Sequence, residues 1–134
     1  MCLHISPRPV RRPRKPVTVW KVYCKTVLFD KAKFTSPFRG VKASLKEGAL
    51  IKSNRRRISL TRSEKTSGSI SLGLHCFSRK RDAISYANSD MRRGLVVVKC
   101  EGAPEDFVAS GYFKSRPSKV FQTLRVVKRP ESNQ

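Results

Sequence analysis

The sequence predicts an α+β fold: a small, mostly antiparallel sheet of about six strands, one covering helix and a basic Pro-rich N-terminal arm. Three observations carry that expectation. Val17 to Leu28 is a β-branched and aromatic run, the composition that fits a pleated, half-buried surface. Ile70, Leu72, Leu74 and Cys76 alternate with Ser71, Gly73, His75 and Phe77, the period of a strand with one buried face. Ser78 then stands where a helix N-cap belongs, and Ala83, Ile84 and Ala87 form an apolar stripe at helical spacing.

Taken in order, residues 1 to 16 hold four prolines and five basic side chains. Proline removes backbone donors and favours extended geometry, so this stretch reads as an arm and not as a packed element. Residues 17 to 128 form the single domain and 129 to 134 a tail. Within the domain, Val17 to Leu28 places Trp20, Val22 and Cys24 on one face and Val19, Lys21 and Tyr23 on the other. Asp30 to Gly40 reads as a loop, with Pro37 and Gly40 suited to a turn. Val41 to Ile51 is ambiguous: Glu47-Gly48 suggests a turn and Ala49-Leu50-Ile51 the start of a short strand. Ser53-Asn54 suits a hairpin tip, with Arg55, Arg56 and Arg57 on the return strand. Residues 63 to 69 have the composition of a flexible linker.

Beyond the helix, Ser89 to Gly94 reads as a turn. Leu95 to Cys100 is a nearly continuous apolar run, the mark of a strand buried on both faces. Phe107 to Phe113 and Val120 to Lys128 read as two final strands, with Lys114 to Lys119 as the loop between them.

The 134 residues carry 30 Lys+Arg against 9 Asp+Glu, a formal net charge of +21. Self-repulsion at that imbalance opposes compaction, and a polyanionic partner relieves it. The first 65 residues hold 18 basic and 3 acidic side chains, the remainder 12 and 6, so the positive weight lies in the first half. Nucleic acid, DNA or RNA, is the partner this favours; an acidic or nucleic-acid-containing protein complex is the alternative.

The basic side chains fall into clusters. Arg8, Arg11, Arg12, Arg14 and Lys15 lie in the arm, Arg55 to Arg57 on a hairpin edge, Arg79, Lys80 and Arg81 at the helix start, and Arg92 and Arg93 after it, with Arg39 beside a turn. Guanidinium forks match phosphate oxygens. Trp20, Tyr23, Phe38 and Phe77 are the aromatic candidates for base stacking. Three cations in the first turn of a helix oppose its dipole, and an anion there would relieve the conflict.

Other chemistry has less to stand on. The usual zinc-ligand spacings are absent, and adjacent His75 and Cys76 point to opposite faces of a strand. Neither a phosphate-binding loop nor a dinucleotide fingerprint occurs among the seven glycines. Glu101, Glu105 and Asp106 read as solvating loop residues, not a catalytic pair. An N-terminal Cys2 exposed by methionine removal could act as a nucleophile, but a proline-rich arm is a poor place to fix geometry. Four scattered cysteines suggest free thiols acting as small hydrophobes in a reducing, cytoplasmic setting. No apolar run is long enough to cross a bilayer as a helix. The expectation is therefore a non-enzymatic protein with no cofactor and no metal.

Met1-Cys2-Leu3, the basic arm, Trp20-Lys21-Val22-Tyr23, Ser36-Pro37-Phe38, Gly73-Leu74-His75-Cys76-Phe77 with Ala83 and Tyr86, and the following Val-Val-Lys-Cys run together resemble small phage and mobile-element proteins. That resemblance covers most of the chain. It implies a phage-encoded protein in the host cell interior, acting on nucleic acid or as an inhibitor of a host defence or nucleic-acid-processing complex. A strand ending Gly73-Leu74-His75 before a Ser-headed helix with Ala and Tyr also resembles the ADP-ribosyltransferase-like fold, which implies an enzyme centred on His75. The catalytic glutamate of that group has no counterpart here.

Overall fold

The computed structural model describes residues 3–5, 13–28, 31–35, 42–43, 46–53, 69–70, 73–89 and 95–131. They form one antiparallel sheet and one helix. The strands are β1 (Leu3–Ile5), β2 (Val17–Leu28), β3 (Lys31–Thr35), β4 (Lys42–Ala43), β5 (Leu50–Lys52), β6 (Ser69–Ile70), β7 (Leu74–Phe77), β8 (Leu95–Gly102), β9 (Phe107–Phe113), β10 (Arg116–Phe121) and β11 (Thr123–Glu131). The helix, α1, spans Lys80–Ser89. Neighbours run in the order β5-β11-β8-β2-β7-β10-β9-β1-β6, with β3 and β4 extending the far end of β2.

The sheet cannot be flat. β10 and β11 are joined by Gln122 alone, yet β8, β2 and β7 lie between them in the hydrogen-bonded order. Four strand spacings of a flat sheet amount to about 19 Å, whereas one intervening residue lets two Cα atoms part by no more than about 7 Å. The sheet must therefore roll until β10 turns a corner into β11. Contacts across the interior agree: the ring of Phe121 lies against Gly102 on β8, three strand positions away. At the corner, Gln122 N donates to Asp106 O at 2.7 Å and Ser53 N donates to Gln122 O at 3.0 Å.

The roll explains why the described residues form two cores, one inside the sheet and one beneath the helix. Inside it lie Val19, Tyr23, Cys76, Val98, Cys100, Phe121, Leu124 and Val126, closed at one side by Ile51. Outside it, Val22, Phe77, Leu95 and Phe113 meet Ala83, Tyr86 and Ala87 of α1. Phe77, Tyr86 and Phe113 pack as an aromatic trio with ring centroids 5.5 to 6.2 Å apart. The helix buries Ala83, Tyr86 and Ala87, while Ile84 of the expected stripe is only half-buried.

Several expectations need correcting. Lys31–Thr35, read as loop, is a strand paired along the end of β2. Arg116–Phe121, also read mostly as loop, is a strand central enough to pair with both β7 and β9. Pro117 is tolerated there because a residue's N–H and C=O point to one edge. Its carbonyl accepts from Ser78 N at 3.1 Å, just beyond the end of β7, so its missing donor faces no strand partner.

The run from Ile70 to Phe77 is not one strand. Gly73 has φ +92°, and the two pieces go to different places: β6 to the sheet edge beside β1, β7 to the middle. Nor has β7 a single buried face, since the roll covers Cys76 and the helix covers Phe77. Leu3–Ile5 is paired with β9 and β6, so that piece of the arm is sheet. The final strand continues to Glu131, past the boundary expected at 128. Register shifts near Lys128 and Glu131 accommodate Pro130 where β5 no longer pairs with β11.

Candidate nucleic-acid interface

The start of α1 is the best-described basic segment. The helix begins at Lys80, and its first intrahelical acceptor is the carbonyl of Arg79, which takes N–H bonds from Asp82 at 3.2 Å and Ala83 at 3.3 Å. Arg79 thus occupies the cap position expected for Ser78. Ser78 is used differently: its Oγ accepts from Lys119 Nζ at 2.9 Å.

The dipole conflict read from Arg79, Lys80 and Arg81 is met within the protein. Asp82 lies in the first turn, where a negative charge is favoured, and accepts from Arg79 Nε at 2.8 Å. No outside anion is required on that account. Arg79, Lys80 and Arg81 nevertheless remain exposed.

Sheet register brings more cations to this place. Trp20 of β2 pairs with Phe77 of β7, and Phe77 with Ser118 of β10. The residues that precede β2, follow β7 and precede β10 therefore share one end of three adjacent strands. Those residues are Arg14 and Lys15, Arg79 to Arg81, and Lys114 to Arg116, all exposed except Arg116, which is half-buried. Arg116 donates to Ser85 Oγ of α1 at 3.2 Å, and Lys119 reaches back to Ser78, tying β10 to the helix start from both sides.

Every described residue of the expected set (Arg14, Lys15, Arg79, Lys80 and Arg81) thus falls at this end. Arg8, Arg11, Arg12, Arg39, Arg55, Arg56, Arg57, Arg92 and Arg93 lie outside the described residues. Lys114, Arg116 and Lys119 were missed because their segment was read only as a spacer. Its three cations in six residues were the available signal.

Not every cation joins them. Lys25, Lys46, Lys52, Lys99 and Lys128 are exposed elsewhere, and Arg125 pairs across strands with Glu101 at 2.9 Å. The acidic cluster belongs to the same end of β2: Glu101 stands opposite Thr18, and Glu105 and Asp106 follow in a short 3-10 turn at Pro104–Asp106, after β8 ends opposite Val17.

The expected stacking groups do not serve. Tyr23 and Phe77 are buried in the two cores, Trp20 packs against the helix-side core, and Phe38 lies outside the described residues. His75 is buried as well, with Nδ1–H donating to Gly73 O at 3.2 Å. Cys24, Cys76 and Cys100 are free thiols, the last two fully buried. Among the described residues no group of three or more His, Cys, Asp or Glu could hold a metal ion, and no helix is long and apolar enough to cross a membrane.

What these features define is a rolled antiparallel sheet with one outer helix and a cationic strand end. Compared with protein families, with curated proteins and with solved structures, the chain matches none.

Proposed function

We propose that this is a non-enzymatic nucleic-acid-binding protein that contacts the phosphate backbone with little sequence specificity. The observation that carries the reading is the convergence of Arg14, Lys15, Arg79, Lys80, Arg81, Lys114 and Arg116 at one end of β2, β7 and β10. Cations that merely keep a surface hydrated need no common end. Asp82 balances Arg79 there, and the net charge of +21 leaves the surplus unmet by the chain itself. A backbone polyanion fits because phosphate contacts release counterions and need no base-specific geometry. The phage or mobile-element setting implied by the resemblance suits such a role.

The test is binding of unrelated labelled oligonucleotides, duplex and single-stranded, across a salt series. Affinity should be similar for unrelated sequences and should fall steeply with salt. The triple variant Arg79→Glu, Lys80→Glu, Arg81→Glu should bind more weakly and reduce the salt slope by about one for each phosphate contact removed. No binding at low ionic strength, or a tight salt-tolerant complex with one sequence only, would contradict the reading. Removing residues 1 to 16 is a poorer test, because it also strips Leu3–Ile5 from the sheet.

A further inference from the structure

Arg116 is held in a way that an ordinary surface arginine is not. It pairs directly with Phe113 across the β9–β10 hairpin, and residues directly opposite in an antiparallel pair share a face. That face is the one α1 covers, because the Phe113 ring packs on Tyr86 with centroids 5.6 Å apart. Arg116 is half-buried on that side, and its Nη2 donates to Ser85 Oγ at 3.2 Å. One turn before Ser85, on the same helix face, stands the exposed Arg81. Lys114 completes the group: it is exposed, and its Nζ lies 5.6 Å from the centroid of the Phe113 ring.

Three cations from two elements therefore border one notch between hairpin and helix, with Phe113 as its apolar wall. Among the described residues the ion pairs join Asp82 to Arg79 and Glu101 to Arg125, which leaves these three without a carboxylate. Like charges held beside an apolar surface repel more strongly than in open water. An anion seated between them reverses that. The guanidinium carries five N–H donors in a fixed fork; Ser85 takes one of them and so sets the plane of the others.

We infer that this notch seats a single backbone phosphate, gripped by Arg116, Lys114 and Arg81, and that Ser85 is the positioning residue that aims Arg116 at it. The inference rests on the nucleic-acid reading above and narrows it. The rest of the cationic end attracts by charge alone, whereas the notch binds with fixed geometry. A phosphodiester fits because its two unbridged oxygens match the guanidinium fork, while Lys114 acts as a point charge. Such a contact sets the position of the strand and carries no base information, in keeping with low sequence specificity.

The experiment measures binding of a labelled duplex and of oligo(dT) across a salt series, for wild type, Arg116→Lys, Ser85→Ala and Lys46→Gln. Lys46 is exposed in the turn before β5 and serves as the charge-removing control. Thermal melting checks that each variant is folded. Arg116→Lys preserves the charge and removes the fork. It should lose roughly tenfold in affinity, as loss of one bond to a charged group does, and lower the salt slope by about one. Ser85→Ala leaves every charge in place and should weaken binding by a smaller factor. Lys46→Gln should bind nearly as wild type despite its lower net charge. Should Arg116→Lys melt early, Ser85→Ala decides, since alanine favours the helix. If Arg116→Lys and Ser85→Ala bind as wild type, or if Lys46→Gln costs as much as Arg116→Lys, the cations act as diffuse charge and the notch is no site. Steep salt dependence in wild type would then still uphold the broader reading. If wild type binds no oligonucleotide, both fall together.

Discussion

At position 21 a lysine projects into the roll between Val19 and Tyr23, both buried. Its Nζ donates to His75 O at 3.0 Å and stands 5.2 Å from the centroid of the Tyr23 ring. Burial pushes its pKa below the ordinary 10.5; Cys76 and Cys100 nearby work the other way. The same dry interior raises the thiols of Cys76 and Cys100 to about 12, against a partial lowering by Lys21. Between its folded pKa and 10.5, Lys21 binds fewer protons in the folded chain than in the unfolded one, so its contribution makes stability rise with pH. The thiols act oppositely, binding more protons when folded, so their contribution falls from about pH 9 towards pH 12. Lys21→Met keeps the stem and removes the charge. Urea titrations should show the rise with pH below 10.5 flattened in that variant. At neutral pH the variant no longer desolvates an amine but loses the bond to His75 O, so its stability should stay within about 2 kcal/mol of wild type. An unchanged pH slope would mean that Lys21 is not the group responsible.

At the scale of elements, the β9–β10 hairpin anchors the helix, through Lys119 on Ser78, Arg116 on Ser85 and Phe113 against Tyr86. Its turn is Lys114-Ser115, with φ +46° and +64°. Two positive values are the signature of the tight hairpin turn that matches strand twist, and Asn-Gly or Asp-Gly is the usual occupant. Lysine and serine carry a Cβ that crowds the following carbonyl in this conformation. Ser115→Gly removes that crowding at a cost in unfolded-chain entropy. The net gain should be roughly 0.5–1 kcal/mol in thermal or chemical unfolding. A loss of stability would show that this turn is not left-handed at 115. The helix depends on the same hairpin, since Tyr86 packs on Phe113 and Ser85 accepts from Arg116.

For the whole molecule, the decisive feature is that the sheet curls until β10 meets β11. Gly102 stands where β8 passes beneath the ring of Phe121. A Cβ at that position would lie well inside 3.0 Å of the Phe121 ring carbons, and that ring is fully buried. Gly102→Ala should therefore destabilise the protein by roughly 1–3 kcal/mol through overpacking. Phe121→Leu added to it should recover part of the loss in a double-mutant cycle. Full stability in the single variant would place Phe121 elsewhere and undo the case for the roll at this corner. The roll also matters for charge, because an enclosed interior leaves most cations no place but the outer surface and strand ends.

Much of this was legible in the chain. The bounds of β2 followed from its β-branched run, the apolar run at Leu95 marked a strand covered on both sides, and alanine spacing marked the helix. Those signals are local: they come from the shape and polarity of neighbouring side chains. β3 and β10 were missed because Lys31-Ala-Lys-Phe-Thr and Arg116-Pro-Ser-Lys carry little apolar weight of their own. Their strand geometry comes from hydrogen bonding to neighbours distant in sequence. Lys119 at the helix start and Arg116 against Ser85 were equally out of reach, since register alone decides what stands opposite what. Local residue patterns determined the α+β class, and composition the cationic excess. Only the tertiary structure decided that the sheet rolls up, that Lys21 is inside, and which cations share an end, because backbone pairing between remote segments sets these positions.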